Sequence, residues 1–167
     1  MWKRVFVGRT VLFAVVALSH SLHAEVRLPR FFSDHMILQQ QTNAAIWGWA
    51  DAGESVVIKA SWGTMASAKA GKDGHWKLFL KTPGTGTGHT LQVKGSNQIQ
   101  IKDVAIGEVW LCVGQSNMGW SVANSFEAEK ESEVDLPNLR IFKSAREHGH
   151  EPMAENRDRL SRWKRCD

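Results

Sequence analysis

The segment His75-Trp76-Lys77-Leu78-Phe79-Leu80-Lys81 alternates in side-chain character with a period of two residues. Trp76, Leu78 and Leu80 fall on one face of an extended chain, and both lysines fall on the other. This alternation is typical of a β-strand that buries one face and exposes the other. We therefore take the segment as the strand from which the rest of the fold is built.

The same period recurs on both sides of this strand, over residues from about 25 to 106. Further strands are predicted at 44–50 and 55–62, around Leu91 and Val93, and around Ile99 and Ile101. Turn residues separate them at Asp51-Ala52-Gly53 and Lys72-Asp73-Gly74, and Pro83 to Gly88 is expected to be a loop. Short strands at this spacing, without a long helix, predict an antiparallel β-sandwich domain over residues 25–106.

The composition is that of a folded protein and excludes several classes. Of the 167 residues, 43% are apolar and 23% are charged, which argues against disorder, collagen-like repeats and a multi-span membrane protein. Cys112 and Cys166 are the only cysteines, too few for a disulfide-dense scaffold or a four-cysteine zinc site. Whether the two pair with each other stays open.

Residues 1–24 have the features of a secretory signal peptide. Lys3, Arg4 and Arg9 precede an apolar run from Val11 to Leu18, which is too short to span a bilayer as a stable anchor. Cleavage is expected after Ala24, and the protein is expected to be periplasmic or extracellular. A buried first strand or helix is the alternative.

Removing this leader lowers the net charge of the chain and changes what that charge implies about its partners. It takes away three of the 21 basic residues and none of the 17 acidic ones, so the net charge falls from +4 to about +1. No electrostatic argument for a nucleic-acid partner survives that correction.

The pattern changes at Gly107, where the nearly continuous apolar run Glu108 to Val113 follows. Such a run is typical of a strand buried on both faces of a parallel sheet, and it predicts a buried free thiol at Cys112. The run leads into Gly114-Gln115-Ser116-Asn117-Met118. Because α/β enzymes place reacting groups at strand ends, Ser116 is a candidate nucleophile. An N-cap serine on a following helix is the alternative.

Three weaker patterns follow this segment. The acid-rich run from Glu127 to Asp135 predicts a solvated helix or loop, and Leu139 to Phe142 predicts a second strand. His148 and His150 have a spacing that suits a metal site on a strand. No third ligand is evident beside them, so a solvent-exposed pair is favoured and no metal is expected.

The block from Gly107 to Met118 closely resembles the nucleophile block of the sialate O-acetylesterase family, which are carbohydrate esterases of the SGNH (GDSL-like) hydrolase superfamily. Other stretches resemble the same family in the same order. They are Leu28-Pro29, Phe32 to Gln39, Ile46 to Ala50, Gly53-Glu54, Asp73 to Trp76 and Pro137 to Phe142. One departure is Gly119, where the family usually has an acidic residue.

The resemblance implies an activity and a site. Ser116 would be the nucleophile that removes acetyl groups from O-acetylated sialic acid or another acetylated carbohydrate, and its backbone N–H would donate to the oxyanion. No cofactor or metal is implied. The family's base is a histidine, commonly in an Asp-x-x-His arrangement, and this spacing does not occur in the sequence. Residues 107–167 are therefore expected to be the incomplete start of a flavodoxin-like α/β SGNH domain with a parallel sheet, and inactive alone.

A second interpretation comes from a different functional class. The β-sandwich would be a carbohydrate-binding or interaction module without catalysis. In that case tryptophans on the strands would stack on sugar rings. The candidates are Trp47, Trp49, Trp62 and Trp76.

Overall fold

The computed structural model describes residues 25–144 and 161–166. Its strands are β1 (Ile37–Gln39), β2 (Asn43–Trp49), β3 (Ser55–Ala60), β4 (Met65–Lys69), β5 (His75–Lys81), β6 (Gly86–Lys94), β7 (Gln98–Gly107), β8 (Leu136–Phe142) and β9 (Trp163–Cys166). Helical structure in these residues is limited to α1 (Ala128–Ser132) and the 3₁₀ turns Ser116–Gly119 and Val122–Asn124. None of these helices is long and apolar enough to cross a membrane. The predicted signal peptide and the His148/His150 pair lie outside the described residues.

Five strands form a mixed sheet in the order β1-β7-β6-β3-β4. Strands β7, β6, β3 and β4 pair antiparallel, whereas β1 runs parallel to β7, with Ile37 opposite Ala105. The prediction of a purely antiparallel arrangement is therefore wrong at this edge. A parallel pair needs a long connection rather than a hairpin, and here the whole of β2 to β6 supplies it.

A second sheet consists of β2 and β5, which pair antiparallel from Asn43↔Lys81 to Trp49↔His75. The two sheets contribute side chains to one hydrophobic core. Its fully buried members are Met36, Ile46, Val56, Ile58, Leu80, Leu91, Val93, Ile101 and Val104. The inward face predicted for β5 is confirmed, since Trp76, Leu78 and Leu80 are all buried.

The strands predicted from the two-residue period are all present, and two others escaped prediction. β1 has only three residues, and β4 is composed mostly of small or charged side chains, so neither shows a clear apolar alternation. The predicted loop from Pro83 to Gly88 is wrong at its end, because β6 begins at Gly86.

A β-bulge interrupts the pairing of β6 with β7. Between the pairs Leu91↔Ile101 and His89↔Val104, two residues of β7, Lys102 and Asp103, stand opposite one residue of β6, Thr90. Asp103 takes up the extra residue with a φ of 51°, in the left-handed region that Asp and Asn tolerate better than most residues. The bulge turns the Asp103 carboxylate out of the ladder, while Val104 and Ile106 remain in the core.

The segment after Gly107 differs most from expectation. Residues 108–113 form no strand, and their side chains are exposed, with Trp110 at 83% and Leu111 at 87%. A strand needs neighbours for its backbone N–H and C=O groups, and no described strand pairs with this run. Cys112 is consequently exposed rather than buried, although it is a free thiol as predicted.

The strand predicted at Leu139 to Phe142 is confirmed as part of β8, but the predicted parallel sheet is not formed by the described residues. β8 pairs antiparallel with β9, with Phe142 opposite Trp163. The acid-rich run carries the short exposed helix α1, which agrees with the predicted solvated helix or loop.

Candidate active site around Ser116

The chain leaves the five-stranded sheet at a fixed point just after Gly107. The amide groups of Gln39 and Gln40 donate hydrogen bonds of 3.0 and 2.6 Å to the carboxylate of Glu108. The side-chain oxygen of Gln39 accepts a 2.9 Å bond from the backbone N–H of Val109. The two hydrogen bonds that Glu108 accepts from Gln39 and Gln40 lower its pKa, since they favour its charged form. The parallel pair β1–β7 thus places both glutamines where they hold the start of the Ser116 segment.

Ser116 opens the 3₁₀ turn Ser116–Gly119 and is exposed. The first hydrogen bond of this turn runs from the Met118 N–H to the carbonyl of Gln115, at 3.0 Å. The N–H of Ser116 precedes that bond and has no partner within the turn, as at any helix start. The structure thus places the exposed Ser116 at the first position of the turn.

Gly114 lies two residues before Ser116 and leaves space for a neighbouring side chain. Its φ is not among the positive values of the chain. A Cβ at this position would lie 2.8 Å from Cγ and 3.1 Å from Sδ of Met118. The missing side chain thus leaves room for the Met118 side chain to lie against Gly114.

The described histidines do not serve Ser116. His35 bonds to Asp103, His75 lies against the ring of Trp49 with centroids 5.6 Å apart, and His89 lies against Trp62. Within residues 25–144 and 161–166, no histidine or carboxylate forms a hydrogen bond with the Ser116 hydroxyl. The structure therefore places the candidate nucleophile without a base beside it in the described part of the chain.

A polar cluster that the sequence did not reveal is centred on Asp103. The carboxylate of Asp103 lies 2.7 Å from Nδ1 of His35 and 3.2 Å from Nη2 of Arg140, and Arg165 approaches to 4.0 Å. The hydrogen bond with His35, assisted by the charge of Arg140 and opposed by partial burial, holds the pKa of Asp103 below its usual value. The sequence did contain a signal for this cluster. Asp103 continues the alternation of Ile99 and Ile101, which places an acidic side chain at a position predicted to face inward.

This cluster attaches the β8–β9 hairpin to the five-stranded sheet. The Arg140 side chain also donates to the carbonyl of Pro137, at 2.8 Å. Beside it, Trp163 Nε1 donates a 2.7 Å bond to the carbonyl of Phe31, and the rings of Phe31, Phe142 and Trp163 lie 5.2 to 5.5 Å apart. The segment that contains Ser116 is thus held at both ends. Gln39 and Gln40 hold Glu108 at its start, and Asp103 of β7 holds Arg140 of β8 at its end.

The sequence and the fold of this chain are similar to those of known esterases. No model of a known protein family matches the chain. Sialate O-acetylesterase of Rattus norvegicus is 26% identical over 162 residues, which are 89% of this chain and 30% of the relative. That of Mus musculus is 30% identical over 145 residues, which are 79% of this chain and 27% of the relative.

A solved structure agrees with these relatives. A carbohydrate acetylesterase from Xanthomonas citri superposes with a TM-score of 0.78 at 28% identity, over 85% of this chain and 33% of that one. The chain is sialate O-acetylesterase-like. The resemblance predicted from the sequence motifs is therefore confirmed. The chain spans less than a third of the length of the curated sialate O-acetylesterases named above.

Proposed function

We propose that this sialate O-acetylesterase-like chain contributes the nucleophile of a serine esterase that removes O-acetyl groups from acetylated carbohydrates. The observation that carries the proposal is the match to relatives named sialate O-acetylesterase and to a solved carbohydrate acetylesterase. The exposed Ser116 at the start of a 3₁₀ turn supports it. O-acetylated sialic acid is the first substrate to test, and another acetylated sugar is the second.

The proposed chemistry is an acyl transfer in two steps. Ser116 Oγ attacks the acetyl carbonyl carbon, its proton passes to a base, and the sugar oxygen leaves as a hydroxyl after taking up a proton. Water then attacks the acetyl-enzyme, which releases acetate and restores the serine. The Ser116 N–H donates to the oxyanion of both tetrahedral intermediates, where such donors contribute most. A serine hydroxyl needs a base for the first step. In the family resembled here, that base is the histidine of Asp-x-x-His, a spacing that this sequence lacks.

We also propose a division of the chain into an N-terminal β-sandwich, residues 25–106, and the beginning of an SGNH domain, residues 107–167. The common core of the two sheets supports the first unit, and Trp163 of the second unit also packs in that core. The apolar run from Val109 to Val113 supports the second, since side chains of this kind are normally covered.

Export is proposed on the sequence features of residues 1–24 alone. Expression of the full chain fused to a reporter that is active only outside the cytoplasm tests it. We expect reporter activity and removal of residues up to Ala24, seen by mass spectrometry. Reporter activity that survives deletion of Val11 to Leu18 would contradict the proposal.

The decisive experiment for the nucleophile compares two polypeptides. One is the chain itself, and the other is a chimera that continues it with the corresponding C-terminal part of the Xanthomonas citri acetylesterase. We expect a fluorophosphonate probe to label the folded chimera at Ser116 and p-nitrophenyl acetate to be hydrolysed. The chain alone should give neither signal above background.

Two variants of the chimera make the result specific. Ser116→Ala should abolish labelling and turnover. Ser125→Ala, in the same segment, should keep both, because its hydroxyl donates only to the nearby carbonyl of Ser121. A chimera that unfolds cooperatively but is not labelled at Ser116 would refute the nucleophile. Ser116-dependent turnover by the chain alone would show that a base lies within it.

A further inference from the structure

The face of the two-stranded sheet that points away from the core carries an unusual set of side chains. On β5 it presents His75, Lys77, Phe79 and Lys81, all of them exposed. On β2 it includes Ala45, Trp47 and Trp49, which are half-buried. Trp47 packs edge-on against the buried ring of Phe32, with centroids 4.6 Å apart. We call this set of seven residues the β2–β5 face. It combines aromatic rings with cations, and neither strand contains an acidic residue.

The register of the two strands defines the layout of this face. Trp49 stands opposite His75, Trp47 opposite Lys77, and Ala45 opposite Phe79. The small side chain of Ala45 leaves the ring of Phe79 without a bulky neighbour directly across the sheet. Side chains two residues apart on a strand are about 7 Å apart, so the three rows form a platform about 13 Å long.

Phe79 is the most exposed part of this platform. Its side chain is 59% exposed, and Lys77 Nζ lies 5.3 Å from the centre of its ring. Before Val109, Phe79 and Met65 are the only large apolar side chains that the described residues leave exposed. Phe79 thus offers an exposed apolar ring on an otherwise regular amphipathic strand.

Charged groups are unevenly distributed around the platform. Lys77 and Lys81 flank Phe79 on its own strand. The guanidinium of Arg27 lies 3.9 Å from the ring of Trp49 at the far end. The nearby acids lie at that far end too: Asp73 accepts a bond from the His75 N–H, and Glu25 lies beside Arg27 and Trp49. The Phe79 end is thus cationic.

We propose that the β2–β5 face binds an acidic oligosaccharide. A pyranose ring stacks its C–H face on Phe79, and a carboxylate of the same sugar or its neighbour pairs with Lys77 and Lys81. An aromatic ring offers apolar contact at little conformational cost, and lysine donors give charge-assisted hydrogen bonds to a carboxylate. This binding requires nothing of Ser116, so it stands whether or not the proposed esterase activity does.

The test measures binding rather than turnover. The full chain is titrated with a trimer of galacturonic acid and with maltotriose, a neutral trimer, at 50 and 300 mM NaCl. Calorimetry or chemical-shift changes follow the binding. We expect weak binding of the acidic trimer, several-fold weaker at the higher salt, and little binding of the neutral one. Ser116→Ala should bind like the unchanged protein.

Exposed positions allow matched variants that leave the fold intact. Phe79→Ala should weaken binding about tenfold, the loss of roughly one stacking contact. Phe126→Ala, which removes another highly exposed phenylalanine, should have no effect. Lys77→Gln should weaken binding and reduce its salt dependence, whereas Lys94→Gln on β6 should not. Equal affinity for both trimers would refute the acidic ligand, and unchanged binding by Phe79→Ala, or no binding at all, would refute the site.

Discussion

Arg140 on β8 and Asp103 at the bulge of β7 form an ion pair, in which Nη2 lies 3.2 Å from each carboxylate oxygen. The Arg140 side chain is only 2% exposed, and Asp103 supplies the counter-charge for this buried guanidinium. Its Nε has no hydrogen-bond partner and is buried. The pair is the principal polar link between the β8–β9 hairpin and the sheet, which makes it a sensitive point for substitution.

Replacing Asp103 with asparagine should release the hairpin without disturbing the sheet. Asn tolerates the left-handed conformation of this residue, but it leaves the buried guanidinium without a counter-charge. We expect the free energy of undocking to fall by about 2 kcal/mol. Hydrogen exchange of the β8 amides measures this. Asp73→Asn, in an exposed turn, is the control, and equal exchange in both variants would contradict the expectation.

The same carboxylate should make hairpin docking depend on pH. Because the folded state lowers the pKa of Asp103, its contribution is present above the usual value of about 3.8 and is lost as the pH falls through the lowered value. The opening of the β8 amides, calculated from their protection factors at each pH, should therefore rise on acidification below about pH 4. This rise should be absent in Asp103→Asn. Glu108 also has a lowered pKa, so Glu108→Gln is measured in parallel and should keep the rise.

Gly48 should tolerate no side chain. A Cβ there would overlap the carbonyl oxygen of Arg27 and come within 2.9 Å of the Trp76 ring, which is buried. We expect Gly48→Ala to lower the free energy of unfolding by about 1–3 kcal/mol, measured by urea denaturation. Gly84→Ala is the matched control, because nothing lies within 4 Å of its Cβ position. Similar stability of the two variants would argue against the packing around Gly48.

Proteolysis should separate the chain into a resistant and a susceptible part. Chymotrypsin is expected to cut first at Trp110, Leu111 or Phe126, all exposed and outside the strands. Phe79 is also exposed, but its backbone is paired in β5 and should resist. Mass spectrometry of early fragments identifies the sites. Early cleavage between residues 40 and 100, with 107–142 intact, would refute this order of stability.

The sequence predicted the β-strands well because burial there is one-sided. In β5 the period of two residues directly records which face meets the core, and the same holds for Val56 and Ile58 in β3. β4 escaped because its alternating residues are Ala and Ser, whose contrast in hydropathy is small. β1 has only three residues and shows no clear alternation, so neither the strand nor its parallel pairing with β7 was predicted.

The candidate site was only partly predictable. The local motif around Ser116 predicted a nucleophile and a family resemblance, and the family resemblance is confirmed by the relatives. The run from Val109 to Val113 predicted a buried strand from its composition, but a strand also requires partners, and no described residue provides them. Asp103 and Arg140 are 37 residues apart, and only the folded chain shows that they meet.

The pairing of β1 with β7 also constrains how the protein is made. Ile37 can find Ala105 only after the intervening strands have been synthesised, so a ribosome must release residues up to Gly107 before the sheet can close. Until then Leu38, buried in the finished protein, lacks its neighbours. A nascent chain that pauses within β6 would hold an open sheet edge at the tunnel exit, which is the stage at which a chaperone that binds apolar strands would be needed most.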